Sequence, residues 1–400
     1  MSFVERSLAR LLTIATTLGL ILYGAGDVLA AEGDVLFQQQ LRPYPVQPII
    51  PLNVDGKAYP FMLDTGTYGP IFDFSIRKIL GPVAQKGMLS SFGTQTETDF
   101  YNAPRMNIGR LTLAEWMAAT QDCAVHRKVS GLDVRGIMGI KPLDSYSIWF
   151  DFDHETLKIE AQAPPPDDMT ALDFVYAGSK QIPRVQVELE GETVQFIVDS
   201  GFNGSMGLQH EVFAKLVANG SIHQTENPGS ERLVGGGAEK VASGRFKSGT
   251  LFGMDLASSE VHDSGSVSNL GMAFLLNFNF VFDLAGKKFY YVRRHGPSTL
   301  DPQQMIGAVI LFPEGRNVIY RINRGPSAAR EAGLKEGDHI VRMGSLTDNL
   351  MNAAAIYDLC LHHYSEIMEV EVARPGAEKT FITHLEMPRR HFAFPASPSY

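Results

Sequence analysis

Two short segments carry the chemistry that this sequence suggests: Asp64-Thr65-Gly66 and Asp199-Ser200-Gly201. Each follows three apolar residues, Phe61-Met62-Leu63 and Phe196-Ile197-Val198, so each carboxylate stands at the mouth of a buried strand. The hydroxyl residue and the glycine after it let the backbone turn tightly and donate hydrogen bonds. Taken alone, such a triplet reads as an Asx-type turn, because Asp and Gly dominate turns for local reasons. Two copies in equivalent positions of a duplicated chain are different, since a two-fold arrangement brings both carboxylates to one axis. Carboxylates about 3 Å apart cannot both ionise cheaply and share one proton. One then serves as base toward a water while the other serves as acid.

The elements that must position these triplets are themselves repeated. Residues Pro48 to Gly56 and Phe61 to Gly66 align with Pro183 to Gly191 and Phe196 to Gly201 at a constant offset of 135. Both copies read as a strand, an acidic-Gly hairpin turn and a second strand that runs into Asp-Thr/Ser-Gly. The similarity returns where Gly136 to Leu143 and Phe150-Asp151 match Ser268 to Leu275 and Phe282-Asp283 at an offset of 132. Strand pairs are expected at 148–152 with 157–160, and at 280–284 with 288–292. Two mostly β lobes follow, 31–165 and 166–295, with few helices; the clearest helical stretch is Glu211 to Ala218. The link between them is Ala163-Pro-Pro-Pro-Asp-Asp168, whose prolines and polarity suit a surface crossing.

The doubled triplet, with an apolar-Gly element after each (Ile137-Met138-Gly139 and Leu270-Gly271), resembles the retropepsin and pepsin-like aspartic proteases, here as a single-chain tandem over residues 41–293. The resemblance implies two β-barrel-like lobes with Asp64 and Asp199 as the catalytic pair. It further implies that Thr65, Gly66, Ser200 and Gly201 form the positioning shell, with Thr65 and Ser200 cross-bonding the two loops. Gly139 and Gly271 would lie beside the aspartate loops. The substrate would be a protein or peptide, and neither cofactor nor metal is required. Flaps over the cleft would be hairpins near Ser91-Phe92-Gly93-Thr94 and Gly235-Gly236-Gly237, which read equally well as ordinary turns. The sequence departs from the family pattern at two positions. Thr67 follows the first triplet, but Phe202, which cannot donate a hydrogen bond to Asp199, follows the second, and Asn269 replaces the first apolar residue before Leu270-Gly271.

After His295 the pattern changes. Val318 to Gly325 and Pro326 to Val341 give a strand, a short helix ending near Gly333, a Gly-Asp turn and another strand. The phrase Ser327-Ala-Ala, Ala332-Gly333-Leu334, Gly337-Asp338 and Ile340 resembles a PDZ domain of the bacterial type, a small α+β unit within 296–390. That resemblance implies a peptide added at a sheet edge, its C-terminal carboxylate held near Ile306, Gly307 and Ala308 and a helix from Met351 to His363 forming the far wall. A domain that only packs against the lobes is the plain alternative. Residues 391–400 read as a loose tail.

Composition bounds the rest. With 400 residues, 44% hydrophobic and 20% charged, the chain can bury two or three cores. The formal charge is −9 and no basic run offers a patch for phosphates, so nucleic acid is not an expected partner. Arg6 and Arg10 precede an apolar run, Leu11 to Tyr23, followed by small residues at Ala30 and Ala31. This reads as an export signal, 1–30, cleaved after Ala30, and places the protein in the periplasm, the cell envelope or outside the cell. Membrane contact is expected only if the signal stays uncleaved. Cys123 and Cys360 show no metal spacing and read as buried thiols, and the 11 histidines are scattered. Two rival readings stay open: a binding protein on degenerate protease lobes, and a PDZ-bearing serine protease, for which no Gly-x-Ser-x-Gly segment exists.

Overall fold

In the computed structural model, the described residues are 34–387 apart from 42–46, 92–93, 114–115, 162–164, 166, 177–181, 226–229, 235–236, 296–305, 323–326 and 364–365. The expected signal, half of the proline link, the tips of both candidate flaps and the tail lie outside them.

The first repeat supplies β1 (Asp34–Gln40), β2 (Ile49–Val54), β3 (Lys57–Asp64), β4 (Ile71–Asp73), β5 (Val83–Ser91), β6 (Thr94–Asn102), β7 (Met106–Ile108), β8 (Leu111–Leu113), β9 (Met117–Gln121), β10 (Gly136–Gly139), β11 (Ser147–Asp151) and β12 (Thr156–Ala161). The Asp55-Gly56 turn between β2 and β3 has φ of 50° and 82°, a two-residue geometry that suits strand twist. Glu190-Gly191, the corresponding turn of the second repeat, repeats it at 49° and 83°. That repeat supplies β13 (Thr170–Tyr176), β14 (Pro183–Leu189), β15 (Glu192–Val198), β16 (Met206–Gln209), β17 (Ile222–Gln224), β18 (Ser230–Val234), β19 (Gly237–Val241), β20 (Ser243–Phe246), β21 (Thr250–Leu251), β22 (Met254–Asp255), β23 (Glu260–Gly265), β24 (Ser268–Leu270), β25 (Phe278–Asp283) and β26 (Lys288–Arg293).

The two repeats share one pairing scheme. In the first, β3 pairs β10 in parallel, β10 pairs β4 antiparallel, β4 pairs β9 in parallel and β9 pairs β6 antiparallel. In the second, β15, β24, β16, β23 and β20 follow each other in the same four senses. Where the copies meet, β11 pairs β25 antiparallel, with Ile148 opposite Phe282 and Phe150 opposite Phe280. The order β1-β12-β11-β25-β26-β13 is therefore the same read from either end. This platform and the strands of the second repeat form one sheet of 13 strands, and the first repeat has its own sheet of nine. Among the described residues the sheets are open ladders with distinct end strands, which corrects the expectation of barrels.

Burial explains why the platform holds. Phe150 and Phe280 stack with ring centroids 4.5 Å apart, Phe282 and Phe289 meet at 5.5 Å, and all four are at most 1% exposed. Aromatic pairs of this geometry contribute about 0.5–1.5 kcal/mol each beyond their buried area. One continuous core runs through both repeats from Phe37 to Phe289.

Residues 306–387 build a separate core around Ile319, Ile340, Val370 and Leu385. Its strands are β27 (Ala308–Leu311), β28 (Val318–Ile322), β29 (His339–Met343), β30 (Leu346–Thr347), β31 (Ile367–Ala373) and β32 (Phe381–Glu386), with helices Ala328–Glu331 and Ala353–His362. Ser327 and Asn352 cap those helices, accepting from Arg330 N–H at 3.3 Å and Ala355 N–H at 2.9 Å. This unit meets the first repeat at the helix Ala124–Ser130, where Phe312 N–H donates to the Lys128 carbonyl at 2.7 Å.

Candidate active site

The β3 and β15 strands end side by side. Leu63 and Val198 are buried, and the carboxyls that follow, Asp64 and Asp199, are 8% and 7% exposed. Each carboxyl is fixed first by its own loop: Asp64 Oδ1 accepts from Gly66 N–H at 2.8 Å, and Asp199 Oδ1 accepts from Gly201 N–H at 2.9 Å. Thr65 and Ser200 then bind the loops to each other. Thr65 Oγ1 donates to the Val198 carbonyl at 2.6 Å and accepts from Ser200 N–H at 3.0 Å. Ser200 Oγ donates to the Leu63 carbonyl at 2.7 Å and accepts from Thr65 N–H at 3.1 Å.

This cross-bonding brings the carboxyls together. A Cβ on Gly66 would lie 2.6 Å from Asp199 Cγ, and one on Gly201 would lie 2.4 Å from Asp64 Cγ. Each glycine thus faces the opposite carboxyl with no room for a side chain, and each carboxyl bears on the pKa of the other. Gly139 and Gly271 flank the loops. A Cβ on Gly139 would meet the Gly69 carbonyl at 2.6 Å, and one on Gly271 the Gly204 carbonyl at 2.3 Å. The residues after them close both loops alike: Ile140 N–H donates to the Thr67 carbonyl at 2.9 Å and Met272 N–H to the Phe202 carbonyl at 2.7 Å.

The side-chain donors differ between the halves. Thr67 Oγ1 donates to Asp64 Oδ2 at 2.7 Å. Phe202 makes no such bond; its ring packs over Gly204 and Gly271 and meets the His262 ring edge-on at 5.3 Å. The donor to Asp199 comes from elsewhere: Asn269, 1% exposed, donates from Nδ2 to Asp199 Oδ2 at 3.3 Å. Its Oδ1 accepts from Ser264 Oγ at 3.3 Å, and Gly207, opposite it on β16, leaves the space; a Cβ there would lie 2.2 Å from that Oδ1. The two departures noted in the sequence are one exchange, in which the donor lost at 202 is supplied at 269. The sequence signal was a polar residue paired with a glycine at strand positions where the first copy pairs Ile137 with Ile71.

Burial raises the pKa of both carboxyls, as expected when charge leaves water. Asp199 rises well above the usual carboxylate range, because burial is joined by the negative charge of Asp64, and the donors Asn269 and Gly201 only partly offset them. Asp64 rises less clearly, since Thr67, Gly66 and the Asp199 hydroxyl all stabilise its ionised form. The Thr67 and Gly66 donors favour the charge on Asp64, so the pair gives up its first proton more easily than its second, though both lie above the ordinary carboxylate range.

The other singled-out residues lie elsewhere. Ile306 and Ala308 are buried in the C-terminal core, and Gly307 turns the chain into β27 with φ of 75°, a backbone state glycine takes without strain. Among the described residues β27 pairs only with β28, so its outer edge carries no strand. Of the flap candidates, only flanking residues are described: Ser91 pairs Thr94 at the end of β5–β6, and Val234 pairs Gly237 at the end of β18–β19. No group of His, Cys, Asp and Glu among the described residues is placed to hold a metal ion. Cys123 and Cys360 are buried free thiols, pushed up to about 12, mainly by burial. No protein-family model matches the chain, and no curated protein matches it either.

Proposed function

We propose that the chain is an aspartic endopeptidase of two retropepsin-like lobes with a C-terminal PDZ-type domain, exported to the cell envelope. The observation that carries this reading is the reciprocal seating of Gly66 against Asp199 and Gly201 against Asp64, which supports one shared-proton site from two strands 135 residues apart. In the active form Asp64 is ionised and Asp199 holds the proton. A water between them gives a proton to Asp64 as its oxygen attacks the peptide carbonyl, and Asp199 gives its proton to the carbonyl oxygen, forming a neutral gem-diol. Collapse breaks the C–N bond: Asp64 passes its proton to the amine nitrogen and Asp199 recovers one from a diol hydroxyl. No covalent intermediate forms.

The reading as a peptide binder without catalysis rested on Phe202, and the bond from Asn269 takes that support away. The outer edge of β27, which no described strand covers, supports peptide addition at the C-terminal unit. The test is cleavage of an unfolded protein by residues 31–400 across pH 3–8, beside Asp64→Asn and Asp199→Asn. Cleavage is expected from the parent and lost in both variants, which keep the shape while removing an ionisable group. Undiminished cleavage in either variant, or none by the parent at any pH, would defeat the proposal.

A further inference from the structure

The sheet face bordering the dyad has opposite chemistry in the two repeats. In the first, cross-strand neighbours on one face are Ile49, Met62, Ile137, Ile71 and Ala119. They form an apolar cluster with Leu89 and Phe100 of the β5–β6 hairpin. The same row in the second repeat reads Arg184, Ile197, Asn269, Gly207 and His262. Asn269 reaches the Asp199 carboxyl from this face, so the row belongs to the walls of the site.

Arg184 stands where the first copy has Ile49. It lies opposite Ile197 on one side and Val175 on the other, both apolar, and its side chain makes no hydrogen bond or ion pair with any described residue. Its Nε is buried without a partner, and burial lowers the guanidinium pKa. Ile197 is two residues before Asp199, so Arg184 sits about 7 Å along the strand direction and about 5 Å across from the dyad loop, within reach of a long side chain. A partly buried cation without a counter-charge is costly unless an anion joins it.

We propose that Arg184 reads the substrate: its guanidinium receives the carboxylate of an Asp or Glu side chain close to the scissile bond, while the apolar face of the first repeat takes a hydrophobic side chain on the other side. Arg suits this task because its planar fork meets both carboxylate oxygens at once. The assignment rests on the endopeptidase reading, and its test separates the two.

Peptides that differ only by Asp or Glu against Asn or Gln, within three residues of the cleaved bond, are assayed at pH 6 with the parent, Arg184→Gln and Arg184→Glu. The parent is expected to favour the acidic peptides by about tenfold in kcat/KM, the scale of one charge-assisted bond. Arg184→Gln is expected to lose that ratio, and Arg184→Glu to reverse it toward Lys-containing peptides. An equal ratio in the parent, or a ratio kept by Arg184→Gln, would overturn the assignment. Fluorescence anisotropy of the same labelled peptides on Asp64→Asn, with and without Arg184→Gln, needs no turnover. If the parent cuts nothing, tighter acidic binding that depends on Arg184 would uphold the subsite while the protease reading falls, and equal binding would end both.

Discussion

Asn269→Leu is the perturbation that tests the dyad electrostatics most directly. Leucine keeps the shape and removes the amide that donates to Asp199 Oδ2 at 3.3 Å. A buried hydrogen bond to a charged group contributes about 1.5–3 kcal/mol, and this long one belongs at the lower end, about 1.5 kcal/mol. At 1.36 kcal/mol per pH unit, that is about one unit. The amide stabilises ionised Asp199, so its loss raises the pKa of the second, reluctant ionisation, and the monoanion persists to higher pH. The alkaline limb of kcat/KM against pH should therefore move up by about one unit while the acid limb stays. Thr67→Val makes the complementary change, because Thr67 serves Asp64, which ionises first. Removing that hydroxyl should raise the acid limb and leave the alkaline limb. The assay is a pH profile on one peptide, whose limbs report the free enzyme's acid and base. If both variants move the same limb, or if Asn269→Leu lowers activity with an unshifted profile, the division of roles between the carboxyls is wrong.

Gly201→Ala should abolish activity, since its Cβ would fall 2.4 Å from Asp64 Cγ, and circular dichroism should still show the β fold; retained activity would refute the reciprocal seating. Asp73 is held at about 2: burial pushes it up, but Ser75, the Cys123 N–H at 2.7 Å and Arg127 at 2.9 Å outweigh it. A carboxyl depressed on folding stabilises above its unfolded pKa near 4 and loses that contribution as pH falls toward 2. Acid unfolding should therefore be shallower in Asp73→Asn by at most about 2 kcal/mol, discounted for the part-exposed Arg127. Both thiols, at about 12, should resist alkylation at pH 8 until the chain unfolds, and prompt labelling of either would contradict their burial. At the C-terminal unit, the β27 edge is met at Phe312 by the Lys128 carbonyl, so peptides longer than about four residues should gain no further affinity by calorimetry; a steady gain per residue would show that the helix Ala124–Ser130 gives way.

Local pattern made much of this fold legible. The Asp55-Gly56 and Glu190-Gly191 turns fix their hairpins by glycine's positive φ, and the apolar runs before Asp64 and Asp199 place those residues at strand ends. The β11–β25 pairing joins residues about 135 positions apart, and nothing near either strand specifies its partner. Expecting barrels failed for that reason, since closure depends on which distant edges meet. In the sequence Asn269 is only a departure from pattern, because its contribution is a contact 70 residues away, made possible by the absence of a side chain at Gly207. Arg184 gave no sequence signal, because one Arg in an alternating strand ordinarily points to water.

The contrast between the halves has a physical cause in the covalent duplication. Two identical chains related by a two-fold axis must give both carboxyls the same surroundings, because the interface repeats every contact. Neither carboxyl could then be preferred as the acid. With both copies on one chain, the backbone ladder is kept strand for strand while side chains on the dyad face change independently. Thr67 serves one carboxyl and Asn269 the other, and Ile49 and Arg184 occupy corresponding strand positions in the two copies. The Thr65 and Ser200 bonds stay symmetric, as do the glycine N–H bonds to the two carboxyls, because these hold the loops together. Symmetry is thus retained where it sets the distance between the carboxyls and abandoned where it would give both the same donors.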